Sequence, residues 1–269
     1  MPVSATNCAP MPARRSDIAT TDDAVLDGRL RLRQPAKGHR VGHDAILLAA
    51  ATTAQKGEHA VDLGAGVGAA GLALASRIEG LRVTLVEIDA ALCKLAAENA
   101  ERNAFSSRVD VVTLDVTATA RAFAAAGLKP ESADRVLMNP PFHDIGRQRP
   151  SPHAGKKLAH AASPDVLPVW IGAASRLLSA RGVLTLIWRA DGLPDVLAAL
   201  KRGFGGVAVL PVHPKPGAPA VRILVRAAKQ SRAPLTIYPG LILNEANGTL
   251  TDLTDAVLRG RSTLPLADL

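Results

Sequence analysis

The sequence predicts an α/β fold, a doubly wound and mostly parallel sheet with helices on both faces. Three observations predict it. From residue 59 onward, short segments rich in Val and Leu alternate with helical segments, the pattern of strand–helix–strand units. The first of these strands runs into the glycine-rich turn Gly64-Ala65-Gly66-Val67-Gly68, which opens a helix. The last two strands are joined by a Pro/Gly-rich loop too short to hold a crossover helix, so the final strand is expected to be antiparallel.

Taken in order, His59–Leu63 reads as a strand, Ala69–Ile78 as a helix and Arg82–Glu87 as a strand. Asp89–Asn103 reads as a helix with Leu92, Leu95 and Ala96 on one face. Val109–Leu114 is a strand ending at Asp115, Ala118–Ala125 a helix, and Arg135–Met138 a strand opening onto Asn139-Pro140-Pro141-Phe142. Pro164–Leu178 and Pro194–Gly203 read as helices flanking the strand Gly182–Trp188, and Val207–Val212 and Val221–Arg226 as the closing strands. Upstream, residues 1–22 lack periodicity and read as a loose leader. Asp27-Gly28 between Val25-Leu26 and the alternating Arg29–Arg33 signals a hairpin, followed by a helix with Asp44 near its start. The expected organisation is therefore a leader (1–22), a hairpin–helix cap (23–58), the α/β domain (59–232) and an extension packed on that domain (233–269), in which Thr251–Arg259 reads as a short helix. Residues 143–163 form a long polar loop without a period, a length that in a compact domain usually serves function.

Composition narrows the classes of function. The chain is 48% hydrophobic and 21% charged, which suits a folded domain rather than a disordered one. No apolar run approaches the ~20 residues that span a bilayer, and no secretory signal stands at the start, so no membrane association is expected. Cys8 and Cys93 stand far apart without a Cys-x-x-Cys pair, which argues against a disulfide framework or a thiolate metal site and suits a cytoplasmic location. His143, His153 and His160 lack metal-ligand regularity, so no metal is expected. The net charge is +8, and residues 139–232 hold fourteen basic against four acidic residues. Such an excess in one stretch fits the phosphates of a nucleic acid.

The glycine turn has two readings. Gly66-x-Gly68-x-x-Gly71 with Glu87 about 20 residues on matches a dinucleotide fingerprint. Counted from Asp62, an acid at the strand end followed by Gly64, Gly66 and Gly68 and then by Glu87 resembles the first motif of class I S-adenosylmethionine-dependent methyltransferases. Asn139-Pro140-Pro141-Phe142 separates them. In a doubly wound sheet it shares the crevice beyond the strand ends with the glycine turn. The Asn139 side-chain oxygen and the Pro140 carbonyl can each accept a hydrogen bond from an exocyclic amine and so favour its localised lone pair. Pro140 and Pro141 stiffen the loop and remove competing donors, and Phe142 offers a face for a flipped base, worth roughly 1–3 kcal/mol. The tetrapeptide resembles the Asn-Pro-Pro-Tyr/Phe motif of amino-methyltransferases, which act on adenine, guanine or glutamine amide nitrogens.

Gln34-Pro35-x-x-Gly38-His39-Arg40-x-x-x-Asp44-x-x-Leu47-Leu48-Ala49 resembles the N-terminal signature of the tRNA1(Val) adenine-N6 methyltransferase family, and the resemblance covers about residues 24–259. It implies a seven-stranded class I methyltransferase (Rossmann-like) sheet, S-adenosylmethionine as cofactor, and transfer to an exocyclic base amine in structured RNA, adenine N6 of a tRNA first. It also implies site roles. Glu87 would take the ribose hydroxyls, Asp115 the adenine amine, and Asp62 the methionine end, with Arg40 and Asp44 closing over the cofactor. Asp89 is either a partner of Glu87 or a helix cap. Arg147, Arg149, Lys156 and Lys157 directly follow the tetrapeptide and would grip phosphates beside the flipped base. Asn-Pro-Pro-Phe-His-Asp is also close to the motif of ribosomal-RNA guanine-N2 methyltransferases, so that base stays open. So do a protein glutamine amide and an RNA-binding member without catalysis.

Overall fold

The computed structural model describes residues 19–37, 41–141 and 166–267. Phe142, Arg147, Arg149, Lys156, Lys157 and Arg40 lie outside the described residues, as does nearly all of the leader.

An antiparallel hairpin comes first, β1 (Thr20–Val25) and β2 (Leu30–Pro35). It begins three residues inside the stretch that reads as leader, because Thr20, Thr21 and Asp22 pair with Pro35, Gln34 and Arg33. After α1 (His43–Ala51) the strands and helices alternate: β3 (His59–Leu63), α2 (Ala69–Arg77), β4 (Arg82–Glu87), α3 (Ala90–Arg102) and β5 (Val109–Thr113). There follow α4 (Ala120–Ala125), β6 (Ala133–Met138), α5 (Val166–Leu177), β7 (Leu178–Arg189), α6 (Leu193–Leu200), β8 (Phe204–His213) and β9 (Arg222–Lys229). Two-residue strands β10 (Thr236–Ile237) and β11 (Leu241–Ile242) and the helix α7 (Asp252–Leu258) close the described chain.

The sheet order is β5-β4-β3-β6-β7-β9-β8, with β10 and β11 both on the outer edge of β8. Strands β3 to β7 run parallel and β9 is antiparallel to both neighbours, as the short β8–β9 connection requires. The expected seven strands are present, and β10 and β11 extend the sheet. Two residues carry no alternation to read, so these additions had no signal in sequence.

Alternate residues of one strand bury into opposite layers. Leu137, Ile187 and Leu224 join α1, α2 and the hairpin in one apolar cluster, whereas Val136, Met138, Leu186, Trp188 and Val225 join α5 and α6 in the other. The first cluster also holds Val257, Leu264 and Leu266, so the C-terminal segment contributes to the layer under the hairpin. Asp27 at the hairpin turn pairs with Arg259 and Arg261 at 3.1 and 2.5 Å across the same junction.

The chain proceeds outward from β3 to β4 and β5, then returns to the other side of β3 at β6. In a doubly wound sheet the ligand crevice lies at such a reversal, here at the ends of β3 and β6.

Candidate active site

Strand register places the site. Leu63 is opposite Val86 on one side and Met138 on the other, so Gly64, Glu87 and Asn139 stand level at the ends of three adjacent strands. With strands about 4.8 Å apart, Asn139 is one strand and Glu87 another strand from the glycine turn. Thr113, the last residue of β5, pairs with Glu87, and Asp115 lies two residues past the end of that strand. The sequence thus brings Asp62, the glycines, Glu87, Asp115 and Asn139 to one end of one sheet.

Glu87 is buried and held by backbone donors at both oxygens: the Gly66 N–H donates to Oε2 at 3.0 Å and the Asp89 N–H to Oε1 at 2.8 Å. A carboxylate oxygen accepts more than one hydrogen bond, so the fixed carboxylate keeps lone pairs for a diol. Asp89 serves both ways: its side chain caps α3, accepting from the Ala91 N–H at 2.9 Å, while its backbone N–H holds Glu87. Cys93 donates its thiol to the Glu87 carbonyl, and its burial raises the thiol pKa.

Asp62 is 2% exposed and accepts from the Gly71 N–H at 2.8 Å. Burial pushes its carboxyl up to about 7; the Gly71 hydrogen bond opposes that rise and the nearby Glu87 charge adds to it. Asp115 is partly buried, and its Oδ1 accepts from the Thr117 N–H at 2.8 Å.

Gly64, Gly66 and Gly68 have φ of +73°, +58° and +90°, in the left-handed region that favours glycine. The space around each differs. A Cβ on Gly64 would lie 2.5 Å from Cη2 of Trp170 on α5, and one on Gly68 would lie 2.8 Å from Leu85, whereas a Cβ on Gly66 would meet nothing within 4 Å. Gly64 and Gly68 answer to packing within the protein, and Gly66 alone faces open space. Gly64→Ala is accordingly expected to cost about 2–4 kcal/mol, overpacking added to backbone strain. Gly66→Ala is expected to cost about 1–2 kcal/mol, from strain alone. Urea denaturation of the two variants checks the order; equal losses would contradict it.

Asn139 is partly buried and Pro140 buried, while Pro141 is exposed. Among the described residues, nothing hydrogen-bonds the Asn139 side-chain amide. A donor–acceptor group thus stands at the end of β6 without a partner among the described residues. Asp44 behaves otherwise. It lies in the first turn of α1 behind the N-cap Gly42, and its carboxylate pairs with Arg222 at 3.2 Å. Arg222 opens β9, two strands beyond β6, so Asp44 is tied to the side of the crevice away from Glu87.

Two residues near the site had not been singled out in the sequence. Trp170 lies against the glycine turn, and Asn99, fully buried on α3, donates to the Val67 carbonyl within that turn at 3.0 Å. The signal for the second was a pair of asparagines one turn apart on an alanine-rich helix. No group of three or more His, Cys, Asp or Glu able to hold a metal occurs among the described residues, and none of their helices is long and apolar enough to cross a membrane.

A parallel sheet reversing at β3 and β6, a glycine turn with one open position, and an acid pinned at the end of β4 define a class I methyltransferase fold. The residues present fit S-adenosylmethionine: Glu87 is a buried, oriented carboxylate of the kind a ribose diol can donate to, and Gly66 leaves room beside it. The sequence pattern of the methyltransferase small domain family matches residues 39–213, and the chain belongs to that family, whose cofactor is S-adenosylmethionine. It is 30% identical over 191 residues to the tRNA1(Val) (adenine(37)-N6)-methyltransferase of Bacteroides fragilis, covering 69% of this chain and 76% of the relative. It is also 30% identical over 174 residues to the enzyme of that name from Porphyromonas gingivalis, covering 62% of this chain and 66% of the relative. The chain thus spans just under two thirds of the Porphyromonas protein's length. A solved structure from Agrobacterium tumefaciens, described as a predicted O-methyltransferase, superposes with a TM-score of 0.68 at 35% identity, covering 82% of this chain and 98% of that one.

Proposed function

We propose that the protein transfers a methyl group from S-adenosylmethionine to an exocyclic amine of a base in structured RNA, adenine N6 of a tRNA in the first place, in the cytoplasm. The observation that carries this reading is Asn139, level with Gly64 at the end of the neighbouring strand and without a hydrogen-bond partner among the described residues. The relatives named as tRNA adenine-N6 methyltransferases support the choice of RNA and atom.

When bound, S-adenosylmethionine supplies a methyl group activated by a sulfonium. Glu87 would hold the ribose, Asp115 the adenine amine, and Asp62 the methionine end, with Gly66 giving the close approach. Arg40 belongs beside the methionine end on family resemblance. Asp44 would act through Arg222, steadying the start of α1. Asn139 Oδ1 and the Pro140 carbonyl would each accept one hydrogen of the target amine, drawing its lone pair out of the ring, with Phe142 stacking on the base. The amine sheds its proton after transfer, so no strong base is required. A hydroxyl carries one hydrogen and would leave one of these two acceptors unused. That favours a nitrogen acceptor over the oxygen suggested by the Agrobacterium description.

The test is transfer of labelled methyl to total tRNA and, separately, to ribosomal RNA, followed by nucleoside mass spectrometry. N6-methyladenosine in tRNA is the expected product. N2-methylguanosine in ribosomal RNA would move the substrate to the guanine reading, and no product in either RNA would overturn the RNA assignment. Arg147, Arg149, Lys156 and Lys157 are assigned to the RNA backbone. Replacing Lys156 and Lys157 with Ala should weaken tRNA binding and lower the log–log salt slope by up to about 2. An unchanged slope would place the RNA surface elsewhere.

A further inference from the structure

We propose that Asn99 is a positioning residue for the cofactor turn and couples the N-terminal hairpin to cofactor affinity; this role rests on the reading of the glycine turn as the S-adenosylmethionine site.

Strand β2 pairs with β1 on one edge, and its other edge faces α3. Two asparagines four residues apart on α3 complete that edge. Asn103 accepts from the Arg31 N–H at 2.9 Å and donates to the Arg31 carbonyl at 2.8 Å. Asn99 does the same to Arg33, accepting from its N–H at 2.7 Å and donating to its carbonyl at 3.0 Å. The match is metrical: four residues of helix rise about 6 Å, and two residues of strand about 6.8 Å. Each side-chain amide therefore imitates the backbone of a neighbouring strand.

The two differ in one contact. The Asn103 amide donates otherwise only to the Asn99 carbonyl of its own helix, at 2.7 Å. The second hydrogen of the Asn99 amide goes to the Val67 carbonyl, 3.0 Å away, between Gly66 and Gly68. The side chain is 0% exposed and uses its oxygen and both hydrogens. The Val67 carbonyl belongs to the Val67–Gly68 peptide, whose Gly68 N–H donates to the Ala65 carbonyl at 2.8 Å, so Asn99 grips the turn one residue on from Gly66, whose N–H holds Glu87. The turn has left-handed residues on either side of Val67, and Asn99 gives the peptide between Val67 and Gly68 a second anchor, at its carbonyl. Asn99 thus links hairpin, helix and turn through one planar group.

Asn103 supplies the matched control, since it grips the hairpin without reaching the turn. Asn99→Asp keeps the acceptor, loses both donors and sets a carboxylate against two carbonyls. Asn99→Ser is the gentler variant, with a hydroxyl too short to serve all three partners. Cofactor dissociation constants by calorimetry, thermal midpoints, and kcat and KM for methyl transfer are measured on the full chain. Both Asn99 variants are expected to raise the Kd and KM for S-adenosylmethionine by about tenfold or more, with kcat at saturating cofactor within about twofold of native. Asn103→Asp is expected to lower the thermal midpoint as well, but to leave the cofactor Kd within about twofold. If Asn103→Asp weakens cofactor as much as the Asn99 variants, or if Asn99→Ser binds it as tightly as the native chain, the positioning role is overturned. Native protein that takes up no S-adenosylmethionine would overturn the reading of the turn itself, and the role of Asn99 with it.

Discussion

Asn139→Ala is expected to slow methyl transfer by roughly 10²–10³-fold while leaving the affinity for S-adenosylmethionine within about twofold. The side chain stands at the end of β6, one strand from the glycine turn, and among the described residues no protein group uses its amide. Removing it therefore breaks no hydrogen bond among the described residues and should cost little stability. What is lost is an acceptor whose interaction strengthens as the amine localises its lone pair, a term that acts on the transition state more than on the bound substrate. The measurement is single-turnover transfer at saturating RNA, with cofactor binding measured separately. Transfer at near-native rate would remove Asn139 from the chemistry; a matching loss of cofactor affinity would make it part of the cofactor pocket instead.

Asp62→Asn is expected to stabilise the cofactor-free protein above pH 7 by up to about 4 kcal/mol and to change it little near pH 4. The folded chain holds this carboxyl proton up to about 7, against an ordinary value of 3.8. The folded state consequently binds more protons than the unfolded one between those values, and stability falls as pH rises from about 4 to about 7. Above that range the charged carboxylate remains buried at its full cost. Asparagine keeps an oxygen for the Gly71 N–H and carries no charge at any pH. Urea denaturation at pH 4.5, 6 and 8 reads the effect: the two proteins should diverge with rising pH, and curves that stay parallel would contradict the buried titration. The same proton would leave when a cation settles beside Asp62, so cofactor uptake near pH 6 should release protons to the buffer.

The sheet and the ends of its strands were legible because their causes are local. Val/Leu runs, a glycine turn and an acid at a strand end each occupy a few consecutive residues, and the strand order then brings Gly64, Glu87 and Asn139 level. The reasons behind some of those residues were not local. Gly64 reads as a place for a ligand to approach, yet the group lying against it is Trp170, more than a hundred residues downstream. Asp44 reads as a cofactor contact, and its partner Arg222 is 178 residues away. Asn99 was not singled out, and its value comes from Arg33 and Val67 converging on it. The four-residue spacing of Asn99 and Asn103 hints at a shared face, and it names neither Arg33 nor Val67 as a partner. The hairpin was legible at its turn, whereas the start of β1 was not, because Thr20, Thr21 and Asp22 alternate too weakly to separate from the preceding polar stretch.

The contact between Trp170 and Gly64 also gives the protein an optical reporter. The chain holds two tryptophans, and both are largely shielded from water. The indole of Trp188, near the end of β7, lies against Gly192, two strands from β3, while that of Trp170 touches the turn directly. Any settling of the turn around an incoming molecule changes the surroundings of Trp170 directly. Emission from a Trp188→Phe protein would then follow occupancy of the crevice without a label, a radioactive methyl group or any turnover.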